Sequence, residues 1–69
     1  MSEKITGTVE WYQPHRGFGM IIGEDKEEYF IYHTEINMEG FRQLKPNQKV
    51  RFQPNETEKG LNALDLEII

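Results

Sequence analysis

The periodicity of this chain is its tightest constraint. Apolar and polar residues alternate over short runs, and turn residues break each run. No stretch sustains apolar residues at i, i+3, i+4 and i+7, so a helical framework is ruled out. Alternation at period two, punctuated by Gly, Pro and Asn, is the pattern of an all-β domain.

Five strands are expected. The first covers residues 4–13, with Ile5 and Val9 on one face and Thr6 and Thr8 on the other, and Pro14 stops it because proline cannot donate to a ladder. The second covers residues 18–22 and ends at Gly23. Glu24-Asp25-Lys26-Glu27 is a polar turn. The third covers residues 28–33, with Tyr29 and Ile31 on one face and Phe30 and Tyr32 on the other. Residues 34–47 form a long connection in which Thr34 is placed to cap a short helical turn, and Asn47 tolerates the left-handed conformation that ends such a loop. The fourth covers residues 49–53, with Val50 and Phe52 inward. Residues 55–60 are the last turn, and the fifth strand ends with Leu64, Leu66 and Ile68 in alternation.

Length now decides the architecture. Five short strands within 69 residues are too few for two packed sheets. One curled sheet closed into a barrel hides its edges and needs only one core. A single domain over residues 1–69 is expected. With no cysteine there is no disulfide staple, so modest stability is expected. No apolar run approaches the roughly 18 residues of a membrane span, and Met1-Ser2-Glu3-Lys4 does not begin a signal peptide.

Alternation also leaves a surface. Phe18, Met20, Phe30 and Tyr32 fall outward, because Ile21, Tyr29 and Ile31 already fill the inward side. Large flat side chains shown to water by neighbouring strands mark a binding surface. Nucleobases stack on such rings. Trp11 shares the parity of Ile5 and Val9, which places it inside unless the first strand carries a bulge. In Arg16-Gly17-Phe18-Gly19 the glycines let a ligand approach the backbone and leave Phe18 unobstructed, and Arg16 adds a cation. Against this stands the net charge of −4, since a basic patch is the usual footprint of a nucleic-acid binder.

The blocks Gly7-Thr8-Val9-Glu10-Trp11-Tyr12 and Arg16-Gly17-Phe18-Gly19-Met20-Ile21 resemble the bacterial cold-shock proteins. Tyr29-Phe30-Ile31-Tyr32-His33-Thr34-Glu35-Ile36 is similar to that family's third block. Gly40-Phe41-Arg42-Gln43-Leu44, followed by Gln48, Val50 and Phe52, and then Lys59-Gly60, extend the likeness over nearly the whole chain. The resemblance implies a five-stranded antiparallel OB-type barrel that binds single-stranded RNA or DNA. It implies a cytoplasmic RNA chaperone or a regulator of transcription or translation; separately, a monomer is expected. Stacking positions would fall on Trp11, Phe18, Met20, Phe30, Tyr32, His33 and Phe41, and basic contacts on Arg16 and Lys59. Trp11 is then outward. Glu10 stands where the family pattern has lysine, Met20 where it has phenylalanine, Tyr32 where it has histidine, His33 where it has phenylalanine, and Leu61 where it has proline.

The two histidines, His15 and His33, lie in separate segments, and the acidic turn lacks calcium-loop spacing, so no metal and no cofactor are expected. No nucleophile, base and orienting group form a motif, so neither enzyme activity nor a small-molecule substrate is expected. The competing reading is a diverged barrel that binds a protein partner through the same aromatic patch; the net charge and Glu10 favour it.

Overall fold

A computed structural model describes residues 3–37 and 43–69. Five strands, β1 (Ile5–Gln13), β2 (Phe18–Gly23), β3 (Glu28–Tyr32), β4 (Lys49–Thr57) and β5 (Gly60–Ile68), close into a barrel in the order β1-β2-β3-β5-β4. Four pairings are antiparallel, as expected, while β3 and β5 meet in parallel through Phe30 and Asn62. That parallel contact follows from closure: four antiparallel pairings around a ring of five strands leave β1, β3 and β5 pointing the same way, so the fifth pairing is parallel. Among the described residues, no helix is long and apolar enough to cross a membrane.

The inward positions are those that alternation selects. Val9, Ile21, Ile31, Val50 and Phe52 are sealed from solvent, and Ile36 and Leu44 are buried in the same cluster. The Phe52 ring meets Tyr29 at 4.9 Å, tilted by 60°. Each such side chain contributes roughly 1.5–3 kcal/mol through burial.

Several boundaries differ from the sequence reading. β4 runs on through Pro54 to Thr57, and Pro54 pairs with Ala63. Proline is tolerated there because β1 pairs with β4 only as far as Phe52, so its missing N–H faces an unpaired side. The last turn therefore shrinks to Glu58 and Lys59. In β5 the inward residues are Ala63 and Leu66 rather than an unbroken Leu64, Leu66, Ile68 series. A register shift opposite Arg51 and Gln53, with Asp65 at φ 48°, inserts one residue and moves the phase. Ile68 is 38% exposed as a result.

β3 stops at Tyr32, and a 3₁₀ turn (His33–Glu35) follows. Thr34 lies within this turn rather than capping it, since Tyr32 holds the capping position and no side chain caps it. Asn47 does take φ 69°, after Pro46, as a type II turn requires.

Candidate functional site

The outward faces of β1, β2 and β3 carry the candidate site. Register places Phe18 opposite Tyr32, Met20 opposite Phe30, and Trp11 opposite Met20. Two rows result. One runs Trp11, Met20, Phe30 across three strands, and the other runs Gln13, Phe18, Tyr32 beside it. Phe30 is 38% exposed and Tyr32 48%. Their rings lie 6.5 Å apart and nearly parallel, at 22°. Trp11 meets the Phe18 ring edge-on at 5.6 Å. Rings that brace one another lose less side-chain freedom when a flat ligand lands on them.

Trp11 reaches this face because β1 is bulged. Val9 pairs with Ile21, yet Trp11 pairs with Met20, so Glu10 is the extra residue. The bulge flips the parity of everything after it, and strict alternation from Ile5 misplaces Trp11 for that reason. Tyr12 then packs against the core, and this partial burial raises its pKa above the ordinary tyrosine value.

The glycines beside Phe18 have a cause within the fold itself. Gly17 has φ 74°, and a Cβ there would stand 2.7 Å from the His33 ring. A Cβ on Gly19 would run into the Trp11 carbonyl oxygen and the Tyr12 backbone. Both glycines are required by packing within the protein itself. The β1–β2 turn closes through the N–H groups of Arg16 and Gly17, which both donate to the Gln13 carbonyl, at 3.0 and 2.8 Å.

His33 departs from the inward position that alternation assigns. The 3₁₀ turn carries it to the surface, where its N–H donates to the Gly17 carbonyl at 2.8 Å and its ring lies against Gly17. It therefore borders the Phe18–Tyr32 row. Arg16 is exposed in the turn next to it. Lys59 lies in the β4–β5 turn, at the far end of the patch, because the parallel register of Phe30 with Asn62 sets the start of β5 near Glu28. The described residues thus bring Trp11, Phe18, Met20, Phe30 and Tyr32 together, put Arg16 and His33 at one border, and leave Lys59 apart. Phe41 lies outside the described residues.

The structure adds Asn62 and Asn55 to the Trp11–Met20–Phe30 row. Asn62 is opposite Phe30, Asn55 is opposite Asn62, and the Asn55 amide nitrogen donates to the Asn62 amide oxygen at 2.9 Å. They are polar groups on the same row, able to hydrogen-bond a stacked base through their remaining capacity. Ending β4 before Pro54 concealed them. The turn beyond β2 is rigid: Glu24 accepts from the Thr6 N–H at 2.7 Å and the Thr6 hydroxyl at 2.9 Å. Those bonds, the backbone one foremost, hold its pKa below the usual glutamate value. No group of three or more His, Asp or Glu among the described residues is placed to hold a metal ion.

A small closed barrel with rings spread over the open face of adjacent strands defines an OB-type nucleic-acid-binding fold. The chain belongs to the cold-shock domain family, a family of nucleic-acid binders: the model described as "'Cold-shock' DNA-binding domain" matches residues 5–69. Among its relatives, cold shock protein CapB of Pseudomonas syringae is 35% identical over 69 residues, covering 100% of both chains. Cold shock-like protein CspA of Stigmatella aurantiaca is 43% identical over 65 residues, covering 93% of this chain and 96% of its own. The solved structure titled "drosophila Unr CSD456" superposes with a TM-score of 0.80 at 23% identity, over 99% of this chain and 27% of that longer one. That likeness concerns the fold.

Proposed function

We propose that this protein holds short stretches of single-stranded RNA or DNA by stacking bases on Trp11, Phe18, Met20, Phe30 and Tyr32. Arg16 and Lys59 act as phosphate contacts, and Phe41 and His33 extend the stacking surface. The observation that carries the reading is the pair of cross-strand rows, with Phe30 and Tyr32 left in solvent and nearly parallel. Each base stacked on such a ring contributes roughly 1–3 kcal/mol. Stacking accepts any base, so sequence selectivity is low. A protein that captures unpaired strands keeps RNA from folding back, which is the action of an RNA chaperone in the cytoplasm.

The test uses Trp11, the chain's single tryptophan, as the reporter. Titration with oligothymidine quenches its fluorescence saturably, and a duplex of equal length does so far less. Unchanged fluorescence, together with no co-migration of protein and oligonucleotide, would falsify the reading.

A further inference from the structure

Glu10 is an exposed carboxylate beside Trp11, where the resembled family pattern has a lysine. The structure brings another cation to that side of the site. Asn47 donates its N–H to the Val9 carbonyl at 2.7 Å, and the Val9 N–H donates to the Gln48 carbonyl at 2.9 Å. These bonds seat the turn before β4 directly on the β1 bulge that carries Glu10. β4 then begins with Lys49, opposite Thr8. Thr8 is opposite Ile22, and Ile22 is opposite Glu28, so Lys49, Thr8 and Ile22 stand in the outward row next to Trp11, Met20 and Phe30. A shallow groove lies here, walled by Thr6, Thr8, Ile22, Glu24 and Lys49.

Lys49 is also available in charge. Lys4 pairs with Asp65 at 3.1 Å, and Arg51, two residues along β4 from Lys49 and opposite Thr6, pairs with Glu67 at 2.8 Å, so both of these cations are already engaged with carboxylates. The Lys49 ammonium is exposed, and its described partner is the Thr8 hydroxyl at 3.3 Å, an uncharged group. An ammonium has three donors, so two remain. The opposing charge in the groove is Glu24, whose carboxylate is held by Thr6 on the opposite wall. A phosphate entering the groove is therefore favoured on the Lys49 side.

We infer that Lys49 is a phosphate-binding residue, and that the groove beside it takes the nucleotide that follows the base stacked on Trp11. This rests on the stacking reading above. Thr8 to Trp11 spans about 10 Å of strand, and an OB fold accommodates roughly 4–16 nucleotides, which leaves room for that extension. Half-buried Ile22 offers an apolar floor to a base or sugar, and the Thr8 hydroxyl offers a hydrogen bond.

The experiment compares wild type, Lys49→Gln and Lys26→Gln for affinity to oligothymidine across a salt series, with a thermal melt of each. Lys26 is an exposed lysine in the β2–β3 turn, so its variant carries the same change in net charge. Lys49→Gln is expected to bind several-fold more weakly at low salt, and its slope of log affinity on log salt is about 0.7 shallower, the value of one lost contact to a single strand. Lys26→Gln keeps the wild-type slope. The Lys49→Gln deficit shrinks as the oligonucleotide is shortened, because the strand no longer reaches the groove. If Lys49→Gln and Lys26→Gln behave alike while wild type binds, the inference is overturned and Lys49 contributes only background charge. If wild type itself does not bind, the failure belongs to the stacking reading.

Discussion

Phe18 and Phe30 occupy the same kind of position, outward on adjacent strands, yet they differ in what supports them. Phe18 is half-buried under the Trp11 edge, while Phe30 is open and leans on Tyr32. Truncation to alanine is expected to weaken oligonucleotide binding by about 1–3 kcal/mol in each case. The melting temperature should fall more for Phe18→Ala, because that ring also covers part of Trp11. Equilibrium titration and a melt on each variant separate the two effects; undiminished affinity in both would remove the stacking surface. These residues were legible from alternation alone, since a strand buried on one side shows its other side at every second position. His33 and Trp11 were not, because each sits just past a break in period. A 3₁₀ turn resets the phase before His33, and an extra residue resets it before Trp11. The resemblance to a family put Trp11 outward against parity, and the bulge is what carries it there.

Among the elements, the β2–β3 connection is the one tied most firmly at both ends. Glu24 clamps it to β1 through Thr6, and the Tyr29 hydroxyl donates to Asp25 at 2.6 Å. That bond lowers the Asp25 pKa, and it is the main cause that pushes Tyr29 up to about 12. The signs give two limbs. Tyr29 titrates above its unfolded value near 10, so its contribution is complete below pH 10 and drains as pH rises toward 12. Asp25 titrates below its unfolded value, so its contribution is present above ordinary carboxylate pH and is lost as pH falls through that range. Tyr29 is 4% exposed, but its hydroxyl meets a surface carboxylate, so screening holds the alkaline loss to about 1–3 kcal/mol. Tyr29→Phe should cost roughly 1–2 kcal/mol at neutral pH and flatten the alkaline limb. Denaturant midpoints at pH 7, 10 and 11.5 for both proteins measure this, and an equal alkaline drop in the variant would contradict it. The turn itself was visible in the sequence as an acidic, polar tract. Its attachment was not, because Thr6 and Tyr29 are brought to it only by the closure of the barrel. The overrun of β4 through Pro54 was hidden for a similar reason: whether proline breaks a strand depends on which neighbour it faces.

At the scale of the whole molecule, the net charge of −4 and a nucleic-acid-binding surface are compatible because the charges are unevenly placed. Lys4 and Arg51 are engaged with Asp65 and Glu67 away from the aromatic rows. That pairing, with the Arg51 hydrogen bond foremost, also holds Glu67 below the usual glutamate pKa. Arg16 borders the rows, Lys49 stands in the row beside them, and Lys59 lies apart in the β4–β5 turn. Glu10 is an exposed carboxylate on the bulge next to Trp11, with Glu24 and Glu28 farther along the neighbouring row. On the proposed reading, with Arg16, Lys59 and Lys49 each neutralising one phosphate at about 0.7, the dependence of log affinity on log salt is expected to be shallow, near −2. On that reading stacking supplies most of the affinity, and binding should persist at salt concentrations that dissociate a strongly basic protein. If the strand follows the proposed path from Trp11 to Lys49, Glu10→Lys converts a repulsion into a contact on it. It should tighten binding at low salt and steepen the slope by about 0.7, with the gain fading as salt screens it. The bulge should survive, because its extra residue is set by the pairing of Val9 and Trp11 with β2 and not by the side chain at position 10. Affinity measured at four or five salt concentrations decides the matter. A slope and affinity unchanged by Glu10→Lys would place the phosphate path away from the bulge, on the side of β3 and His33.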